Sequence, residues 1–141
     1  MNIPFKPTDP SSSECKASGA FSASFAAGNA VDMRFHTELV FWLVVTNLGT
    51  NTQADLVVEC SDDGSTIGFD AANRVKSDDN ILNGVFTAKD YTAQITTADG
   101  TLKVGACGPF RFPKMSGSMR PLIKGTAADG AYSIRYQRIS H

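Results

Sequence analysis

The run Leu39-Val40-Phe41-Trp42-Leu43-Val44-Val45 decides the fold class of this chain. Seven apolar residues rich in β-branched and aromatic side chains suit a buried strand, whereas a bilayer-spanning helix needs about 20. With period two, Leu39, Phe41, Leu43 and Val45 line one face and Val40, Trp42 and Val44 the other. An antiparallel strand with one wet face alternates apolar with polar, so this strand is expected to be covered on both sides. Two covers stay open: the chain's own arm or long loop, or another subunit, for which Trp42 is an apt anchor.

Outward from this strand the punctuation is that of an all-β protein. Phe21, Ala23 and Phe25 alternate with serines and alanine, Leu56, Val58 and Cys60 share a face, and Tyr132, Ile134 and Tyr136 alternate with Ser133, Arg135 and Gln137. Phe110 and Phe112 flank Arg111, while Met119, Pro121 and Ile123 form a further alternating set in which Pro121 marks an edge strand or a bulge. The segments 92–97 and 101–106 read as a hairpin turned at Ala98-Asp99-Gly100, where glycine can supply positive φ. Asp-Gly recurs at Asp63-Gly64 and Asp129-Gly130, and 69–83 reads as a long loop. About eight short strands with such turns predict an antiparallel, jelly-roll-like β-sandwich over residues 20–141. Residues 1–19, with Pro4, Pro7 and Pro10, read as an extended arm whose Ile3 and Phe5 would dock on this sheet or on a neighbour.

Composition narrows the function. At 141 residues, 42% hydrophobic and 19% charged, the chain is one domain of a size that buries roughly 70% of its unfolded surface without staples. Ser11-Ser12-Ser13-Glu14 is polar where a secretory signal would be apolar, so export by that route is not expected. Cys15, Cys60 and Cys107 are widely spaced and predict reduced thiols rather than zinc ligands or a disulfide framework. Net charge is −1, yet residues 55–100 carry nine acids against three bases and residues 109–141 six bases against Asp129. The two stretches either form a dipolar surface suited to association or interleave across neighbouring strands and cancel.

Catalytic chemistry finds little footing. His36 and Glu38 share a strand face, the residue types of an acid–base or metal pair, but no third partner stands at a telling spacing. The Asp62-Asp63-Gly64 and Asp78-Asp79-Asn80 clusters lack the spacing of a full calcium loop. Arg111, Arg120, Arg135 and Arg138 alternate with aromatics rather than sharing a face with them, which argues against a nucleic-acid stacking platform. No enzyme, cofactor, metal, nucleic-acid or membrane role is therefore expected.

Two segments carry a resemblance. Leu56-Val57-Val58-Glu59-Cys60-Ser61-Asp62-Asp63-Gly64-Ser65-Thr66 resembles the strand-plus-turn pattern of β-sandwich structural proteins of tailed bacteriophages. The stretch from Phe110-Arg111-Phe112 through Met119-Arg120-Pro121 to Gly130-Ala131-Tyr132-Ser133-Ile134-Arg135-Tyr136 is similar to their paired closing strands. Discoidin-type carbohydrate-binding sandwiches share the look, and the aromatic that usually follows the Asp-Gly turn is missing, with Ile67 and Phe69 nearby instead. The resemblance implies a noncatalytic virion protein of the capsid decoration or cement type, assembled in the host cytoplasm and placed on the capsid exterior. Its implied partners are the major capsid protein and its own copies, as a homotrimer or homodimer. The expected contacts are Ile3 and Phe5 in the arm, Trp42 in the doubly apolar strand, and Arg111 and Arg120 against an acidic coat surface. The competing expectation is a receptor- or glycan-binding module of a head or tail fibre.

Overall fold

The computed structural model describes residues 13–61, 69, 74–75 and 93–140. All regular structure among them is strand: β1 (Ser13–Gly19), β2 (Ala26–Ala27), β3 (Val31–Asp32), β4 (Glu38–Asn47), β5 (Gln53–Ser61), β6 (Arg74–Val75), β7 (Ala93–Thr96), β8 (Gly105–Pro113), β9 (Ser118–Gly125) and β10 (Ala131–Ile139). No helix among the described residues is long and apolar enough to cross a membrane. One sheet has the order β1-β10-β4-β8; in the other, β2 and β3 share one side of β9, β5 lies on its opposite side, and β6 and β7 share the far side of β5. Every pairing is antiparallel. With β2/β3 and β6/β7 each filling one strand position, the chain crosses between sheets at every step except β5 to β6, which is the eight-position jelly roll expected from the sequence.

The alternation expected from the sequence builds the core. Leu39, Phe41, Leu43 and Val45 of β4 meet Leu56, Val58 and Cys60 of β5, with Phe110 and Phe112 of β8, Met119 and Ile123 of β9, and Tyr132 and Ile134 of β10 completing one buried cluster. Phe41 and Phe112 pack edge-on at 6.0 Å between ring centres, and Phe21 lies 4.5 Å from Tyr132, whose phenol burial pushes up to about 12. Cys15, Cys60 and Cys107 are buried thiols, and burial raises the Cys15 thiol to about 12, far from the thiolate that reactivity requires.

Three local expectations change. Residues 13–19 of the expected arm are strand β1, paired along β10 with Cys15 in the core, so the sandwich begins before residue 20; residues 1–12 lie outside the described residues. The turn at Asp99-Gly100 forms, with Gly100 at φ +78°, but β7 and β8 belong to different sheets, so it carries the chain across the sandwich rather than closing a hairpin. Pro121 lies in an interior strand. It pairs with Val58 on one side, and on the other its carbonyl accepts from Gly28 N at 2.8 Å in the gap between β2 and β3. A proline has no N–H to donate, so the edge strand breaks there into two pieces.

At that break the two sheets are joined. Asn29 N donates to Cys15 O at 2.9 Å, and Cys15 Sγ donates to Asn29 O at 3.2 Å, joining β1 of one sheet to the β2–β3 connection of the other. At the end of the sandwich formed by the β4–β5 and β9–β10 loops, Asp129 is the tie. Its carboxylate accepts from Thr50 N at 3.1 Å, Thr50 Oγ1 at 2.7 Å and Asn51 Nδ2 at 3.0 Å. Asn51 Oδ1 in turn accepts from Ala127 N at 2.9 Å. Removing the carboxylate takes a charged acceptor from Thr50 N, Thr50 Oγ1 and Asn51 Nδ2, so Asp129→Ala is expected to cost about 2 kcal/mol in denaturant unfolding without altering the folded far-ultraviolet spectrum.

Candidate interaction surface

The outer faces of the two central strands show how the chain's charges are placed. Cross-strand register sets Glu59 opposite Arg120 and Asp55 opposite Lys124 on the outer face of the β5/β9 pair. Arg120 Nη2 reaches Glu59 Oε1 at 3.1 Å, Lys124 Nζ stands 3.7 Å from Asp55 Oδ2, and the two pairs bracket Val57 and Leu122. The Arg120 guanidinium also lies 4.6 Å from the centre of the Phe69 ring. On the other sheet Arg111 Nη1 bonds Glu38 Oε1 at 3.0 Å across the β4/β8 pair. The acidic and basic stretches of the sequence therefore meet across neighbouring strands at two pairs, Glu59–Arg120 and Asp55–Lys124, while Arg111 pairs with Glu38 from outside the acidic stretch.

This bears directly on the expected contact residues. Arg111 and Arg120, expected to face an acidic coat, are each engaged by a carboxylate of the chain itself. Trp42 is 4% exposed within a single copy, so no second subunit is needed to cover it. Ile3 and Phe5 lie outside the described residues. His36 and Glu38 do not form a pair: His36 Nδ1 lies 3.0 Å from Ser140 Oγ, while Glu38 holds Arg111. Among the described residues no group of three histidines, cysteines or acids comes together as a metal site.

The surface that stands out lies at one end of the sandwich, where the β3–β4 loop, the β8–β9 turn and the last residues of β10 meet. Phe35 is 82% exposed and Met115 66%, the extreme apolar exposures of their loops. The loops beneath them are tied at several points. Met33 N donates to Gly117 O at 2.8 Å, Lys114 N to Thr37 O at 3.0 Å, and Thr37 N to Ile139 O at 2.8 Å. Met33 itself is fully buried and anchors the loop that lifts Phe35 into solvent. Around the two apolar side chains stand four cations and two carboxylates. Arg34 clasps Asp32 with Nε at 3.0 Å and Nη2 at 2.8 Å, Lys114 Nζ donates to Arg34 O at 3.1 Å, and Arg138 Nη1 donates to Asp32 O at 3.1 Å. Arg111 and Glu38 complete the set. Among the described residues the end carries four cations against two carboxylates and is apolar at its tips.

Sequence reasoning missed Phe35 and Met115. Phe35 lies before β4, which starts at Glu38, and Met115 sits in a four-residue turn with no periodicity to place it. The one usable signal was that Phe35 precedes His36-Thr37-Glu38, a polar run that separates it from the apolar strand.

No family model matches this chain, and no curated protein matches it. Among solved structures it is similar to the crystal structure of the SPBc2 prophage-derived protein YomS, at 12% identity and a TM-score of 0.44 over 89% of this chain and 93% of that one.

The two classes of ion pair differ in consequence. The Glu59 side chain is 5% exposed and that of Arg111 46%. Arg120→Ala withdraws one hydrogen-bonded cation from a buried carboxylate, with Arg74 still opposite it on β6, and is expected to cost about 2 kcal/mol. Arg111→Ala, in water-screened surroundings, is expected to cost less than about 1 kcal/mol, and chemical denaturation of the two variants separates them. At the end surface, hydrogen bonds from Arg34 hold the Asp32 carboxyl at about 2, below its ordinary 3.8. A depressed carboxylate contributes above its ordinary value and loses that contribution as pH falls through about 2. A carbon-detected titration of Asp32 should show that low midpoint, and Arg34→Ala should return it toward 3.8.

Proposed function

We propose that this chain is a noncatalytic structural protein of a tailed-phage virion, of the capsid decoration or cement type. It sits on the capsid exterior, binds the major capsid protein and joins neighbouring coat subunits, acting as a homotrimer or homodimer. The observation that carries the attachment role is the pair Phe35 and Met115, bare at the tips of two loops that hydrogen bonds hold in place. Aromatic and methionine side chains are enriched at protein interfaces, and a surface ordered before contact loses little freedom on binding. The phage setting rests on the sequence resemblance of Leu56–Thr66 and of the closing strands. The jelly roll supplies a rigid body whose sheets use their own residues to cover their central strands, leaving a loop end for contact.

The loop end adds a contact surface to the residues expected from the sequence. Trp42, Arg111 and Arg120 are engaged inside the chain, and Phe35, Met115, Lys114 and Arg138 take the role of facing a partner. A specific attachment buries about 1,200–2,000 Å² in all, and repeated contacts around a shell add avidity.

Light scattering after size exclusion, followed by co-sedimentation with empty coat shells, checks the reading. The expected outcome is a dimer or trimer that pellets with shells and saturates at a fixed ratio to the coat subunits. A monomer that stays in the supernatant and is retained on a glycan column overturns it in favour of a fibre-type binding module.

A further inference from the structure

We infer that the end carrying Phe35 and Met115 docks an acidic protein face, with Lys114 and Arg138 meeting its carboxylates while Phe35 and Met115 enter apolar recesses between them. This deepens the attachment reading above and rests on it for the identity of the partner, though not for the chemistry.

Charge comes first. Of the four cations at this end, Arg34 and Arg111 have carboxylate partners in Asp32 and Glu38. Lys114 and Arg138 bond main-chain carbonyls, Arg34 O and Asp32 O, and Arg138 also lies within electrostatic reach of the Asp32 carboxylate that Arg34 already holds. A carbonyl orients a cation without cancelling its charge, so both side chains stand positioned with a net positive field around them. A partner of opposite sign is steered in, and like-charged partners are excluded.

Rigidity then separates a protein face from a lipid surface. Anionic lipid attracts basic residues without requiring fixed positions for them, and interfacial insertion favours one broad apolar face. Here each cation is pinned by a hydrogen bond of 3.1 Å, and the two apolar tips come from separate loops locked together through Met33 N to Gly117 O and Lys114 N to Thr37 O. The Arg34 guanidinium lies 5.7 Å from the Phe35 ring centre, while its Asp32 clasp keeps it from swinging away. Such fixed, separated features fit a surface with equally fixed recesses and carboxylates, because complementarity is then reached without ordering either side.

The test uses the full chain and three probes: coat shells, an immobilised glutamate–tyrosine copolymer of roughly four to one as a generic acidic and aromatic polypeptide, and phosphatidylcholine vesicles with about 30% phosphatidylglycerol. Shells and copolymer are expected to bind, with binding that falls as salt rises from about 50 to about 300 mM. Lys114→Glu combined with Arg138→Glu should weaken both by about tenfold or more, and Phe35→Ser should weaken shell binding severalfold. All these side chains are exposed, so thermal melting of each variant should stay close to that of the parent, and Phe35→Ser keeps the experiment decisive if the double reversal fails to fold. Variants that bind as well as the parent overturn the surface assignment. Vesicle binding with the copolymer ignored overturns the protein partner. Copolymer binding without shell binding leaves the surface standing and removes the coat as its target, and failure with all three probes overturns both.

Discussion

The structure depends on the burial of β5 on both faces. Its inner side chains, Ala54, Leu56, Val58 and Cys60, are core, and its outer ones, Asp55, Val57, Glu59 and Ser61, are buried as well. Two carboxylates in such a position are tolerable only if cations meet them, and β9 supplies Arg120 and Lys124 in register. A slip of one residue between β5 and β9 would turn Glu59 and Asp55 toward the core and take Val58 and Leu56 out of it. The ion pairs therefore act less as a source of stability than as a device that makes one register far better than its neighbours. The same strand pair holds Pro121, whose missing N–H splits the adjoining edge into β2 and β3 and opens the gap that Gly28 crosses.

Much of this architecture was legible in the chain, because period-two patterning is a local signal and the core positions of β4, β8, β9 and β10 obey it. The doubly apolar Leu39–Val45 was readable as a strand covered on both sides for the same reason. Partners were not legible. Nothing in the spacing of Glu59 and Arg120, 61 residues apart, says that they lie opposite one another. That follows from the jelly-roll order, which pairs the fifth and ninth strands. Once it does, Glu59 and Asp55 of the acidic stretch meet Arg120 and Lys124 of the basic one. Nor does the spacing say that Arg111 and Arg120 each meet a carboxylate of the chain itself.

The contact surface was the least legible part, and the reason is physical. Periodicity identifies residues that face inward along a regular element, whereas Phe35 and Met115 lie where regular structure stops. Their exposure is set by what holds the loops: buried Met33, the Met33–Gly117 bond and the Thr37 contacts to Lys114 and Ile139. Those are long-range main-chain contacts that side-chain patterning does not encode.

The division of labour between faces and ends follows from these constraints. Where strands such as β4 and β5 are covered on both sides, altering an outer-face residue such as Trp42, or Arg120 paired to Glu59, disturbs register or packing before it touches any partner. Loop ends carry no such penalty, since their main-chain bonds survive a change of exposed side chain. Recognition is thus free to vary at Phe35, Met115, Lys114 and Arg138 while the strands beneath stay fixed. A protein that must keep one shape through assembly and still fit a particular neighbour places its contacts where this chain leaves apolar tips bare, at the end of its sheets rather than across them.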